Sequence, residues 1–202
     1  MKRISLSIII ILCTIIPLSA NIQKDTLTHY ASEAEARQNI LELLDLSETS
    51  RSKNPGNALF YALSAIKISK EISDYELWSK SEYLAGFAHY VQNDFSEALG
   101  HFEKSLQLSE NHGFAEGKAA AFNRMGNTYQ LMGQYEQALK FYQQALTINK
   151  EIENNQEIAR SLTNLGSIYR LFGNYELAIN QHLEALGIYE GLQNNEGIAW
   201  SA

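Results

Sequence analysis

The chain has 202 residues, 45% of them hydrophobic, and its 16 Lys and Arg against 23 Asp and Glu leave a net charge of −7. That length suits one domain or a short array of repeats, and the apolar share is enough to bury a core. An acidic chain without a basic stripe repels a phosphate backbone, which argues against a nucleic-acid partner. With only two prolines, Pro17 and Pro55, the chain is free to run helix after helix.

The first segment, residues 1–20, reads as a secretory signal peptide. Lys2 and Arg3 form a short positive region, and residues 4–16 are apolar apart from Ser5, Ser7, Cys13 and Thr14. Pro17 breaks the run, and Ser19 and Ala20 supply small residues for cleavage. The run is shorter than a membrane span of ~20 residues. An uncleaved anchor is the alternative, because Leu18 is large for its place. Both readings predict an exported, periplasmic or extracytoplasmic chain. Cys13 is the only cysteine, and Leu12 before it does not fit a lipoprotein signal. Without residues 1–20 the chain has no disulfide, thiolate metal site or cysteine nucleophile. Residues 21–39 are expected to be a partly helical lead-in.

From residue 40 the chain repeats itself. Ala58, Ala98, Ala138 and Ala178 are spaced by 40 residues, each followed by an aliphatic residue, namely Leu59, Leu99, Leu139 and Ile179. Gly86, Gly126 and Gly166 keep the same spacing, as do Phe95, Tyr135 and Tyr175, and Ile66, Leu106, Leu146 and Leu186. So many matches in one register define a repeat. The expected units are a degenerate one at 40–74, full ones at 75–114, 115–154 and 155–194, and the start of another at 195–202.

Apolar residues recur at three and four within each unit, so each reads as two helices. The first helices are predicted at about 75–92, 115–132 and 155–172, and the second at about 95–111, 135–152 and 175–192. Asn93, Gly133 and Gly173 open the turns between them, as residues that tolerate a left-handed backbone. Asp94, Gln134 and Asn174 follow as expected N-caps, with Gln134 the weaker, and Asn54 before Pro55 is the counterpart in the first unit. A glycine inside a helix costs about 1 kcal/mol against alanine. Gly86, Gly126 and Gly166 are therefore expected to admit a close crossing of the second helix, against Ala98, Ala138 and Ala178.

The segments Met125-Gly126-Asn127-Thr128-Tyr129 and Leu165-Gly166-Ser167-Ile168-Tyr169 resemble the tetratricopeptide repeat (TPR). So do the later Ala, the aromatic or His four beyond it (Phe102, Tyr142, His182) and the small residue three beyond that (Ser105, Ala145, Ala185). The resemblance covers roughly residues 40–202, with His89 at the tyrosine place of the second unit, and Leu46 and Thr49 at the glycine and tyrosine places of the first. The family's usual unit has about 34 residues. The 40-residue form is similar to repeats of bacterial sensor kinases and regulators and of kinesin light chains. The resemblance implies an all-α fold, a right-handed superhelical solenoid of antiparallel helix pairs. It also implies a protein or peptide ligand bound in a concave groove lined by the first helices.

By register, that groove would present Tyr83, Phe87 and Tyr90, then Asn123, Arg124, Asn127 and Gln130, then Arg160, Asn164, Ser167 and Arg170. Asparagine amides can both donate and accept, the arginines suit a carboxylate, and the aromatics an apolar anchor. The bland alternative is that these side chains are only the solvated inner face. Tyr129, Tyr169, Tyr142 and Phe102 read as core, and His182 as a packed neutral histidine.

No catalytic residues, cofactor or metal site are expected. The five histidines show no metal-pair spacing, no serine sits in a nucleophile-elbow context, and the glycines punctuate helices instead of forming a phosphate loop. Residues 195–202 (NEGIAWSA) match 155–162 (NQEIARSL), so a further first helix is expected to start there, within a longer protein. The sequence thus predicts the sensory region of a larger signalling protein, with a self-contained adaptor or assembly factor as the alternative. The membrane would be met only through an uncleaved signal or a downstream span. Self-association through the open C-terminal end is a further expected contact.

Overall fold

The computed structural model describes residues 32–201. The expected signal peptide and the lead-in as far as residue 31 lie outside the described residues. The described chain is helical throughout, in the order α1 (Glu33–Ser50), α2 (Pro55–Glu71), α3 (Tyr75–Val91), α4 (Phe95–His112), α5 (Ala115–Leu131), α6 (Tyr135–Glu151), α7 (Asn155–Leu171), α8 (Tyr175–Gly191) and α9 (Asn195–Ser201). The helices predicted from periodicity are thus found to within a residue. α1 begins at Glu33, inside the stretch read as a lead-in. No described helix is long and apolar enough to cross a membrane.

Each helix packs on the one before and the one after it, so α1/α2, α3/α4, α5/α6 and α7/α8 form antiparallel pairs stacked in a row. Contacts also join α1 to α3, α3 to α5 and α7 to α9, whereas no contact of that size joins successive second helices. The first helices therefore crowd the inner side of the stack and the second helices form its outer side.

The core is a row of alanines and aromatics at the repeat spacing. Ala98, Ala138, Phe102 and Tyr142 are fully buried. Tyr129 and Tyr169 pack against the neighbouring apolar clusters while keeping some exposure. The helical glycines do admit a close approach, but chiefly of a side chain. A Cβ on Gly126 would lie 2.6 Å from the Tyr142 ring, and one on Gly166 2.7 Å from the His182 ring. At Gly86 it would meet the Phe102 ring at 2.7 Å and the Ala98 carbonyl oxygen at 3.0 Å. At Gly86 the expected approach of the alanine is thus seen as well, and in all three units the nearest atoms belong to the ring one turn beyond the alanine.

The turns within pairs are left-handed where expected, with φ of 64° at Asn93 and 74° at both Gly133 and Gly173. The turns between pairs use the same device at Ser73, Gly113, Glu153 and Gln193, with φ from 54° to 76°, three of them without glycine. The expected caps need a correction. Asp94, Gln134 and Asn174 stand at the N-cap position but make no side-chain cap hydrogen bond. Their ψ lies between 67° and 71°, against 81° to 89° at Asn54, Asp74 and Asn154, which do cap. Asp94 is turned instead towards His89, its Oδ2 3.5 Å from Nδ1.

Candidate groove on the first helices

The residues expected of a groove lie on α3, α5 and α7, and apart from Asn123 the fold gathers them into four separate groups. The first lies between α3 and α5. Arg124 donates from Nε to the Tyr83 hydroxyl at 2.9 Å. Its guanidinium lies 4.4 Å from the centroid of the Phe87 ring and 5.8 Å from that of Tyr83. Arg51, from the turn after α1, stands 5.0 Å from the Phe87 centroid. Tyr90 packs at 5.8 Å from Phe87, and its burial pushes the hydroxyl up, with the nearby Arg124 charge opposing. The result is a half-buried aromatic floor under two guanidinium groups, held by cation–π attraction.

The second group surrounds Tyr142. Its hydroxyl lies 2.7 Å from Asn127 Oδ1 and 2.7 Å from Gln130 Oε1. A phenol has one proton, so it donates to one amide oxygen and accepts from the other amide once that side chain is turned over. Burial, with Tyr90 nearby, pushes the Tyr142 hydroxyl far up, so it stays protonated as a donor. Asn127 and Gln130 thus support the core as well as edging the groove.

Asn123 departs from its expected place. It is 6% exposed and accepts from Ser161 Oγ at 3.3 Å, while Asn149 Nδ2 donates to the same Ser161 oxygen at 3.5 Å. The amide belongs to the α5–α7 seam, where the short, polar Ser161 comes opposite it, and presents no open surface. Its Nδ2 has no hydrogen-bond partner among the described residues.

The third group lies between α7 and α9. Arg160 and Asn164 line a cavity of about 240 Å³ with Gln156, Thr163, Tyr189 and Asn194. Arg160 is exposed and pairs with Glu157 one turn away at 2.9 Å. Asn194 donates to Gln156 Oε1 at 3.0 Å and caps α9 through the Gly197 amide at 2.9 Å. Burial pushes the Tyr189 hydroxyl up, partly offset by its hydrogen bond with Thr163. In the fourth group, the Ser167 hydroxyl returns to the Thr163 carbonyl at 3.1 Å, and Arg170 is exposed. Burial and the Arg170 charge hold the His182 imidazole below its usual value, which favours the neutral ring.

Sequence reasoning missed Arg51, which has no counterpart at the repeat spacing, Gln156 in the first turn of α7, and Tyr189 and Asn194, which reach the inner face from neighbouring elements. It also passed over His101, whose Nδ1 lies 2.7 Å from the buried Glu82 carboxylate. Among the described residues no cluster of three or more His, Cys, Asp and Glu could hold a metal ion.

Residues 117–191 match the tetratricopeptide repeat family. Among solved structures, the chain is similar to BtubC (BKLC) from P. vanneervenii, with 19% identity and a TM-score of 0.68 over 80% of this chain and 74% of that one. A Rap protein complexed with competence and sporulation factor gives 20% and 0.77 over 84% of this chain, which spans 48% of that protein. A putative kinesin light chain of Podosopora anserina with nearly identical TPR-like repeats gives 15% and 0.65 over 82% of each. At these identities the likeness is one of fold. No curated protein matches the chain.

Proposed function

The chain is a tetratricopeptide-repeat protein, matched as such over residues 117–191, and from that premise we propose that it binds a protein or peptide along the inner face of α3, α5 and α7 and catalyses no reaction. The observation that carries this reading is the combination of aromatic, guanidinium and amide groups on that one face. Arg124 and Phe87 stay partly open there, and Arg170 and the Arg160–Asn164 cavity lie one unit on. A Rap protein of the same fold is complexed with competence and sporulation factor, which supports a ligand of this kind. We further propose that the chain is exported, on the strength of residues 1–20, and serves as the sensory region of a larger signalling protein.

The test begins with peptides selected by display against the full chain. Their affinity is then measured for Arg124→Ala and for the double variant Arg160→Ala with Asn164→Ala. The expected result is weakening by about tenfold or more, the ~1.4 kcal/mol that one good groove contact supplies, at unchanged helicity. Equal affinity in both variants excludes the groove. Asn123 and Asn127 are unsuited to this test, since the fold itself uses their amides.

A second reading, a self-contained adaptor or assembly factor that self-associates, has one observation in its favour. On α8 the apolar residues Tyr175, Ile179 and Leu183 are 65%, 58% and 59% exposed. Light scattering on the chain and on Ile179→Asp separates the two: a dimer lost in the variant favours the adaptor, and a monomer in both removes self-association.

A further inference from the structure

At one repeat register the core changes its chemistry. In the α5/α6 pair, Phe122, Tyr129 and Phe141 form an aromatic cluster, with Phe141 6.0 Å from Phe122 and 5.3 Å from Tyr129 between ring centroids. The residues 40 positions earlier are Glu82, His89 and His101. They occupy the same places and make the same contacts in ionisable form. The His89 and His101 rings stack at 5.5 Å and 14°, and His101 Nδ1 is 2.7 Å from Glu82 Oε2. Glu82 is 1% exposed.

We propose that the α3/α4 pair is an acid-operated joint, in which this ionisable core opens the pair ahead of its neighbours when the pH falls. Burying a carboxylate costs several kcal/mol unless hydrogen bonds and counter-charges offset it. Here the offsets come from every side. Trp78 Nε1 of α3 donates to Glu82 Oε1 at 2.8 Å, Lys70 of α2 stands 3.8 Å from the same oxygen, and His101 and Lys104 face it from α4. His89 has Asp94 as its own carboxylate, 3.5 Å away. α1 meets α3 through Arg37, which pairs with Asp74 at 3.2 Å, and α5 meets it through Arg124 at Tyr83 and Phe87.

Burial alone would raise the Glu82 carboxyl, but the hydrogen bonds from His101 and Trp78 and the charges of His101 and Lys104 outweigh it and hold the group below its usual 4.5. A carboxyl lowered by folding contributes stability above its unfolded value and loses it as the pH drops through the folded one. Neutralising Glu82 would therefore remove the buried charge on which Trp78, Lys70 and His101 converge from α3, α2 and α4. The aromatic core of α5/α6 has no such dependence.

Hydrogen exchange of the full chain, corrected for the intrinsic effect of pH, reads this directly. On going from pH 7 to pH 3.5, protection of α3 and α4 is expected to drop by about tenfold or more relative to α5 and α6, the loss of one hydrogen bond to a charged group. Replacing the triad by its aromatic counterpart, with Glu82→Phe, His89→Tyr and His101→Phe, is expected to remove the difference. Should that variant not fold, Glu82→Gln keeps the shape but cannot titrate, and its α3/α4 protection is expected to be low already at pH 7 with no further acid step. Equal protection of the two pairs in the unaltered chain at every pH overturns the joint, and so does an acid step that persists in Glu82→Gln.

Discussion

Two glycines separate crowding from flexibility at the scale of single residues. Gly126 sits under the Tyr142 ring, where a Cβ would come within 2.6 Å, whereas Gly100 on α4 has nothing within 4 Å of that position. Helix propensity favours alanine at both by up to about 1 kcal/mol, but overpacking a filled core costs about 1–3 kcal/mol. Gly100→Ala is therefore expected to raise the melting temperature by a few degrees and Gly126→Ala to lower it, with Gly126→Leu lower still. Thermal melts showing both alanine variants stabilised would refute the packing of Tyr142. Tyr142→Phe removes the hydroxyl shared by Asn127 and Gln130. Its expected cost is about 1 kcal/mol, seen as a lower denaturant midpoint at unchanged slope. This scale was the least legible in the sequence. Arg124 finds Tyr83 from 41 residues away and Asn123 finds Ser161 from 38. The second pair returns one unit on as Thr163 and Ser201, but with threonine in place of the asparagine, so the repeat signal does not announce it.

From α2 onward the helices are joined by one kind of turn, in which a left-handed residue ends one helix and the next residue starts another, whereas α1 ends at Arg51 in the right-handed region. Where glycine or asparagine fills that place the sequence announces it, as at Asn93, Gly133 and Gly173. Ser73, Glu153 and Gln193 do the same with φ of 54° to 57° and carry no such signal, because the packing of the flanking helices imposes a conformation the residues do not favour. A side chain in the left-handed region costs roughly 1–2 kcal/mol, part of which glycine recovers. Glu153→Gly is accordingly expected to raise stability by about 0.5–1 kcal/mol, and Gly133→Ala to lower it by about 1 kcal/mol. Urea titration checks both, and a destabilised Glu153→Gly would show that the side chain contributes more than the dihedral costs. Helix bounds, by contrast, were legible to within a residue. Each helix must bury the same stripe against the same two neighbours, and that demand writes itself into the sequence every 40 residues.

For the molecule as a whole, stability is a sum over neighbours, since each described pair touches only those beside it in the row. The inner pairs α3/α4 and α5/α6 are flanked on both sides, so near neutral pH hydrogen exchange is expected to be slowest there and faster in α1, α8 and α9. Uniform protection along the row would contradict that picture. The same stacking brings first helices together on one side and lays out a continuous face of side chains that the repeat signal itself does not specify. The account stands on the use of that face, and hydrogen exchange with and without a display-selected peptide bound tests it most directly. The account predicts added protection along α3, α5 and α7, with α4 and α6 unchanged; protection confined to the outer helices α4, α6 and α8 would contradict it.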